Sequence, residues 1–141
     1  MYEYNAKVVR VYDGDTIWAD IDLGFGIWMQ NQAIRLRGIN TPELRGESKE
    51  AGLASRDRVI QLLNEADNKC VIKTHKDDQR GKYGRILGEM IVEDTNINEL
   101  MIQEHHAVKY HGQSKDDIEA EHLVNRQKLI DKGLFDPSPY E

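Results

Sequence analysis

Residues Arg35 to Glu43 read Arg-Leu-Arg-Gly-Ile-Asn-Thr-Pro-Glu, and the fold turns on how that stretch is read. It begins with alternating residues, the period of a β-strand. Pro42 has no N–H to give to a sheet ladder, so the strand is expected to stop near Asn40. That leaves Asn40, Thr41 and Glu43 at a strand end beside Arg35. Oxygen-bearing side chains next to a guanidinium suit phosphate chemistry near a hard cation. A polar turn after an ordinary edge strand is the competing reading of this segment alone.

Upstream, residues 5–12 predict a first strand, and Asp13-Gly14 is a hairpin signal. Residues 15–22 alternate as a second strand, Gly24-Phe25-Gly26 supplies a turn, and residues 28–38 make a third strand. Downstream the period changes. Val59, Leu62, Leu63 and Ala66 fall at i, i+3, i+4 and i+7, which predicts a helix over about 47–66. Ser48 is its expected N-cap, and Gly52 weakens its first half. Residues 69–75 and 85–93 read as two more strands, separated by a polar loop over 76–83. A short helix over about 97–104 follows, capped by Asn96 or Asn98. Residues 107–115 read as irregular. A last helix over about 116–132 is expected to turn Ala120, Leu123 and Val124 inward, with Asp116 and Asp117 favouring its start and Gly133 its end. Three strands, a helix, two strands and two helices predict an α+β, mainly β chain. The expected architecture is a five-stranded OB-fold Greek-key barrel with three helices, in a single domain over residues 1–141.

The 141 residues, 39% apolar and 31% charged, are enough for one hydrophobic core. No run is long and apolar enough to span a bilayer. The chain opens on strand-like sequence without a basic-then-apolar leader, from which a cytoplasmic location is expected, with secretion after leader removal as the alternative; a monomer is expected. Cys70 is the single cysteine, so an internal disulfide and any multi-cysteine zinc site are excluded. Within Lys-Cys-Val-Ile-Lys it reads as a small buried hydrophobe. A net charge of −6 argues against a broad nucleic-acid-binding face. The acid is concentrated late, however, and the segments around Arg35 and Arg85 are locally basic.

Three segments combine: Val11-Tyr-Asp-Gly-Asp-Thr-Ile17, Arg35 to Glu43, and Lys82-Tyr-Gly-Arg85. Together and in this order they resemble the staphylococcal-nuclease-like, or thermonuclease, family. The similarity in element order runs from about residue 5 to 133. The resemblance implies a calcium-dependent phosphodiesterase acting on DNA and RNA. It implies that Asp15, the residue at position 40 and Thr41 serve the Ca2+ site. Arg35 and Arg85 would hold the scissile phosphate, and Glu43 would be the general base. Lys82 and Tyr83 would approach a nucleotide phosphate, and Tyr110 would offer an aromatic ring to a base. Asn40 departs from the pattern, where the family usually has aspartate. An amide oxygen is still a legitimate calcium ligand but carries no charge.

The residue chemistry is compatible with this. Glu43 can accept a proton from water within hydrogen-bond reach. Arg35 and Arg85 are always charged, can grip phosphate oxygens bidentately, and can stabilise charge that grows in the transition state. Taken singly, Asp13-Gly14-Asp15 can be only a turn, either arginine can pair with a surface acid, and Glu43 can serve a helix start. His105 and His106 read as helix-end residues, and His75, His111 and His122 have no partner spacing. Trp18, Trp28 and Phe25 read as core or barrel rim. The alternative function is a non-catalytic OB-fold nucleic-acid-binding or protein-interaction module, a reading that leans on Asn40.

Overall fold

The computed structural model describes residues 2–74 and 84–134. The chain starts with β1 (Tyr2–Asp13), β2 (Thr16–Asp22) and β3 (Trp28–Leu36), an antiparallel meander joined by short turns. A two-residue strand β4 (Ile39–Asn40) and a 3-10 turn (Gly46–Ser48) lead into α1 (Lys49–Asn64). Next come β5 (Lys69–Thr74), β6 (Ile86–Val92), the two-residue β7 (Thr95–Asn96) and α2 (Ile97–Gln103). The two-residue β8 (Val108–Lys109) and α3 (Lys115–Asp131) complete the described chain.

The main sheet runs β3-β2-β1-β5-β6-β7. A parallel pairing of β3 with β6, Ile34 opposite Ile86 and Leu36 opposite Gly88, closes the first five of these strands into a barrel. This is the expected OB-fold barrel with three helices. Closure removes the sheet edges and gives every strand an inside and an outside. The alternation read in the sequence supplies the inside: Ala6, Val8, Ile17, Ala19, Ile34, Leu36, Ile72 and Met90 are all buried. Each large aliphatic side chain so buried contributes about 1.5–3 kcal/mol. Val59 and Leu63 of α1 and Ile97 and Met101 of α2 join this core. Cys70 lies within it, where burial pushes its thiol up to about 12, so it is an inert core residue as expected.

Gly52 lies inside α1 because of a close approach. A Cβ there would come within 2.5 Å of the Glu43 carbonyl oxygen and 2.8 Å of that of Pro42. The helix therefore packs directly on the Pro42 and Glu43 backbone. Ser48 stands at the N-cap position but makes no cap bond; its hydroxyl donates to the Glu43 and Arg45 carbonyls instead. Asn96 is the cap of α2, accepting from the Glu99 N–H at 3.1 Å. Asn98 is buried and pins strands: it accepts from the Met90 N–H and donates to the Arg37 and Gly88 carbonyls.

Two expectations are corrected. Residues 107–115 are not wholly irregular, because β8 pairs with β4, Ile39 opposite Lys109 and Asn40 opposite Val108. In α3, Ala120, Leu123 and Val124 face solvent; Leu123 and Val124 are more than half exposed. The docked face instead carries His122, Asn125, Arg126 and Leu129, at i, i+3, i+4 and i+7. Asn125 donates to the Ala107 carbonyl at 3.2 Å, Arg126 meets Glu50 at 2.9 Å, and Leu129 is buried. Polar anchors hold this helix, so its apolar residues do not mark its inner face. No helix among the described residues is long and apolar enough to cross a membrane.

Candidate nuclease site

The site is built where the β1–β2 hairpin meets the chain leaving β3. Asp13 faces Thr16 across the hairpin, leaving Gly14 and Asp15 as a two-residue loop. The Asp13 carboxylate accepts from the Asp15 N–H at 3.1 Å, an Asx turn that fixes the loop. Gly14 is needed for space: a Cβ there would lie 2.7 Å from Thr41 Cγ2 and 3.0 Å from Ser55 Cβ. The loop is thus pressed against the Thr41 side chain and α1.

Asp15 is buried at the centre of this junction. Its Oδ2 accepts from the Thr41 N–H at 3.0 Å and lies 3.4 Å from Arg35 Nη2; its Oδ1 accepts from the Thr16 hydroxyl at 3.2 Å. Arg35 Nη1 donates to the Leu36 carbonyl at 2.9 Å and to the Asp15 carbonyl at 3.4 Å. The Leu36 N–H also donates to the Asp15 carbonyl, at 2.8 Å. Asp15, Arg35 and Thr41, far apart in sequence, therefore form one bonded cluster.

Asp13, which the sequence reading treated only as a turn residue, belongs to this cluster. Burial, and then the Asp15 carboxyl beside it, push its pKa up to about 7. Two carboxyls sharing so small a space repel when both are ionised, and a cation between them would relieve that. Buried Thr41 Oγ1 has no hydrogen-bond partner among the described residues. An orphaned hydroxyl beside crowded carboxylates is a donor set of oxygens suited to a hard cation. Among the described residues no group of three or more His, Cys, Asp or Glu side chains is arranged to hold a metal. Any cation would complete its shell with the neutral oxygens of Asn40 and Thr41, water or substrate.

Asn40 is not turned to solvent. Its Oδ1 lies 2.8 Å from Nε2 of His122 on α3, a contact that the sequence gave no spacing to suggest. Burial lowers the His122 pKa, while Asp15 and Glu121 pull it upward, so the imidazole sits within the field of the Asp15 carboxylate.

Glu43, three residues beyond β4, is exposed, its Oε2 3.6 Å from Arg45 Nε. It does not cap α1. Arg85, half-buried, leads into β6, where Leu87 lies opposite Arg35; strand alternation puts Arg85 on the same outer barrel face as Arg35. Tyr110 follows β8, with its N–H donating to the Gly38 carbonyl at 2.8 Å and its side chain exposed. Lys82 and Tyr83 lie outside the described residues. Phe25 and Trp28 are exposed where β2 turns into β3, at the rim.

The closed five-stranded barrel, with Asp15, Arg35 and Thr41 bonded together at one strand end, is of the OB-fold class. The family model of staphylococcal nuclease homologues matches residues 33–133, and the chain belongs to that family. It is similar to an Escherichia coli protein named "Uncharacterized endonuclease", 31% identical over 143 residues, spanning 97% of this chain and 82% of the relative. It is likewise similar to a Shigella flexneri protein named "Micrococcal nuclease", 31% identical over 153 residues, spanning 99% and 78%. Membership in a nuclease family assigns the chain to nucleic-acid hydrolysis.

Proposed function

We propose that this protein is a calcium-dependent phosphodiesterase that cleaves DNA and RNA with little regard for sugar or sequence. The observation that carries this reading is the Asp15 carboxylate, fixed by the Thr41 N–H, beside Arg35 and a second, crowded carboxyl on Asp13. Asp15, Asn40 and Thr41 would hold the cation, which when bound supplies positive charge to a phosphate oxygen. Arg35 and Arg85 on one barrel face would bind the scissile phosphate and stabilise the extra charge of its transition state. Exposed Glu43 would accept the proton of the attacking water. Its contact with Arg45 is weak and solvated, so substrate can redirect it at little cost. Tyr110, with Lys82 and Tyr83, would bind the flanking nucleotide.

With one buried and one half-buried carboxyl group at the junction and a net charge of −6, the site favours a cation before it favours a polyanion. The non-catalytic alternative draws on Asn40, which lacks the charge of aspartate. Digestion of labelled single-stranded DNA, duplex DNA and RNA in calcium separates the two. Cleavage of all three supports the proposal; binding without cleavage supports the alternative.

A further inference from the structure

Position 40 carries an amide where a carboxylate would bind a cation through charge. An amide has two weaknesses there. Its oxygen is neutral, and rotation of the side chain exchanges oxygen for nitrogen, which repels a cation. The structure answers the second with one contact, His122 Nε2 at 2.8 Å from Asn40 Oδ1. For that oxygen to accept, Nε2 must carry the proton. Such a donor stops the amide from rotating and fixes which end of it is oxygen. A carbonyl oxygen accepts twice, so its second lone pair stays available for a cation.

We infer that His122 is a positioning residue that holds Asn40 as a cation ligand, which makes α3 part of the site. The inference rests on the reading of the Asp15 junction as a calcium site. It is separable from a role in holding the helix. Asn125, Arg126 and Leu129 dock the same face of α3 without it, through the Ala107 carbonyl, Glu50 and the core. Loss of the imidazole therefore leaves the helix seated. Groups that orient a metal ligand typically matter by about 10- to 100-fold in affinity.

The test is calorimetric titration of the metal-free protein with calcium chloride, in the wild type, His122→Ala and His122→Gln. A glutamine amide can offer its N–H close to where Nε2 stands. The expected result is calcium binding weakened about tenfold or more in His122→Ala and largely restored in His122→Gln, with the melting midpoints of all three close together. The side-chain amide resonance of Asn40 should move in His122→Ala and return in His122→Gln. Calcium binding in His122→Ala equal to wild type, or His122→Gln no better than His122→Ala, would overturn the inference. The comparison does not depend on catalysis. A wild type that binds calcium but cleaves nothing would end the nuclease reading and still judge His122. A wild type that binds no calcium would end both.

Discussion

Arg35 Nη2 lies 3.4 Å from Oδ2 of Asp15, and the same carboxylate oxygen accepts the Thr41 N–H. The guanidinium is therefore anchored at one edge, by Asp15 and by the Leu36 carbonyl, and substrate would meet an arginine already oriented. Preorganised charge of this kind is the largest single contribution in many enzymes.

Arg35→Ala should lower turnover roughly 100- to 1,000-fold, the usual range for a lost oxyanion donor. It should also soften the Asp15 loop, with a lower melting midpoint that calcium partly restores by linkage. Steady-state cleavage and melting with and without calcium check both effects. Full activity in Arg35→Ala would make that arginine a structural pin for Asp15 alone.

Gly52→Ala should be harmful although alanine is the better helix former by about 1 kcal/mol. The added Cβ would meet the Glu43 carbonyl at 2.5 Å, and backbone has to move. Overpacking of this kind costs about 1–3 kcal/mol. The shift would fall on Thr41 to Glu43, and misplacement of about 1 Å can lower a rate about 100-fold. Denaturant melts and cleavage rates should both fall; a stabilised, fully active variant would show that α1 can slide without disturbing the site.

The strands and α1 were legible because a closed barrel and its covering helix obey simple periods. Ile17, Ala19, Ile34, Leu36 and Val59 are apolar for the same reason that they are buried. The pairing of β4 with β8 was not legible, since two residues carry no period. The inward face of α3 was misread because His122, Asn125 and Arg126 dock it through polar contacts, which a search for apolar stripes passes over. Asp15, Arg35 and Thr41 were readable as a set through motif order. Asp13 was visible in the same Asp-Gly-Asp run, and two acids on one tight hairpin turn were the available signal. His122 was not, because 82 residues separate it from Asn40.

Asp13 gives the metal-free protein a pH dependence of defined sign. Its folded pKa, about 7, lies above its ordinary value of 3.8. Below 3.8 it is protonated in both states and its contribution to stability is complete. As pH rises toward 7 the unfolded chain loses the proton first, and stability falls until the folded group also ionises. Asp13→Asn should therefore match wild type near pH 4 and melt progressively higher than wild type up to about pH 7. A difference that is flat with pH would mean that Asp13 ionises normally.

Asn40→Asp places a charge beside Asp15 and within reach of His122. A unit charge at about 4 Å is worth at least roughly 1 kcal/mol even in water-like surroundings, so calcium affinity should rise at least about fivefold. The metal-free protein should melt lower, through repulsion from Asp15, and calcium should restore it. Calcium titration and paired melts check this; unchanged affinity and an unchanged metal-free melt would mean that position 40 does not face the cation.

The most direct test is plasmid cleavage as a function of calcium by wild type and by Asp15→Asn, each followed into excess chelator. The account predicts calcium-dependent nicking by wild type that stops on chelation, and Asp15→Asn that stays folded but loses nicking or needs far more calcium. Nicking that persists in chelator and in Asp15→Asn alike, or none by wild type with calcium at saturation, would contradict it.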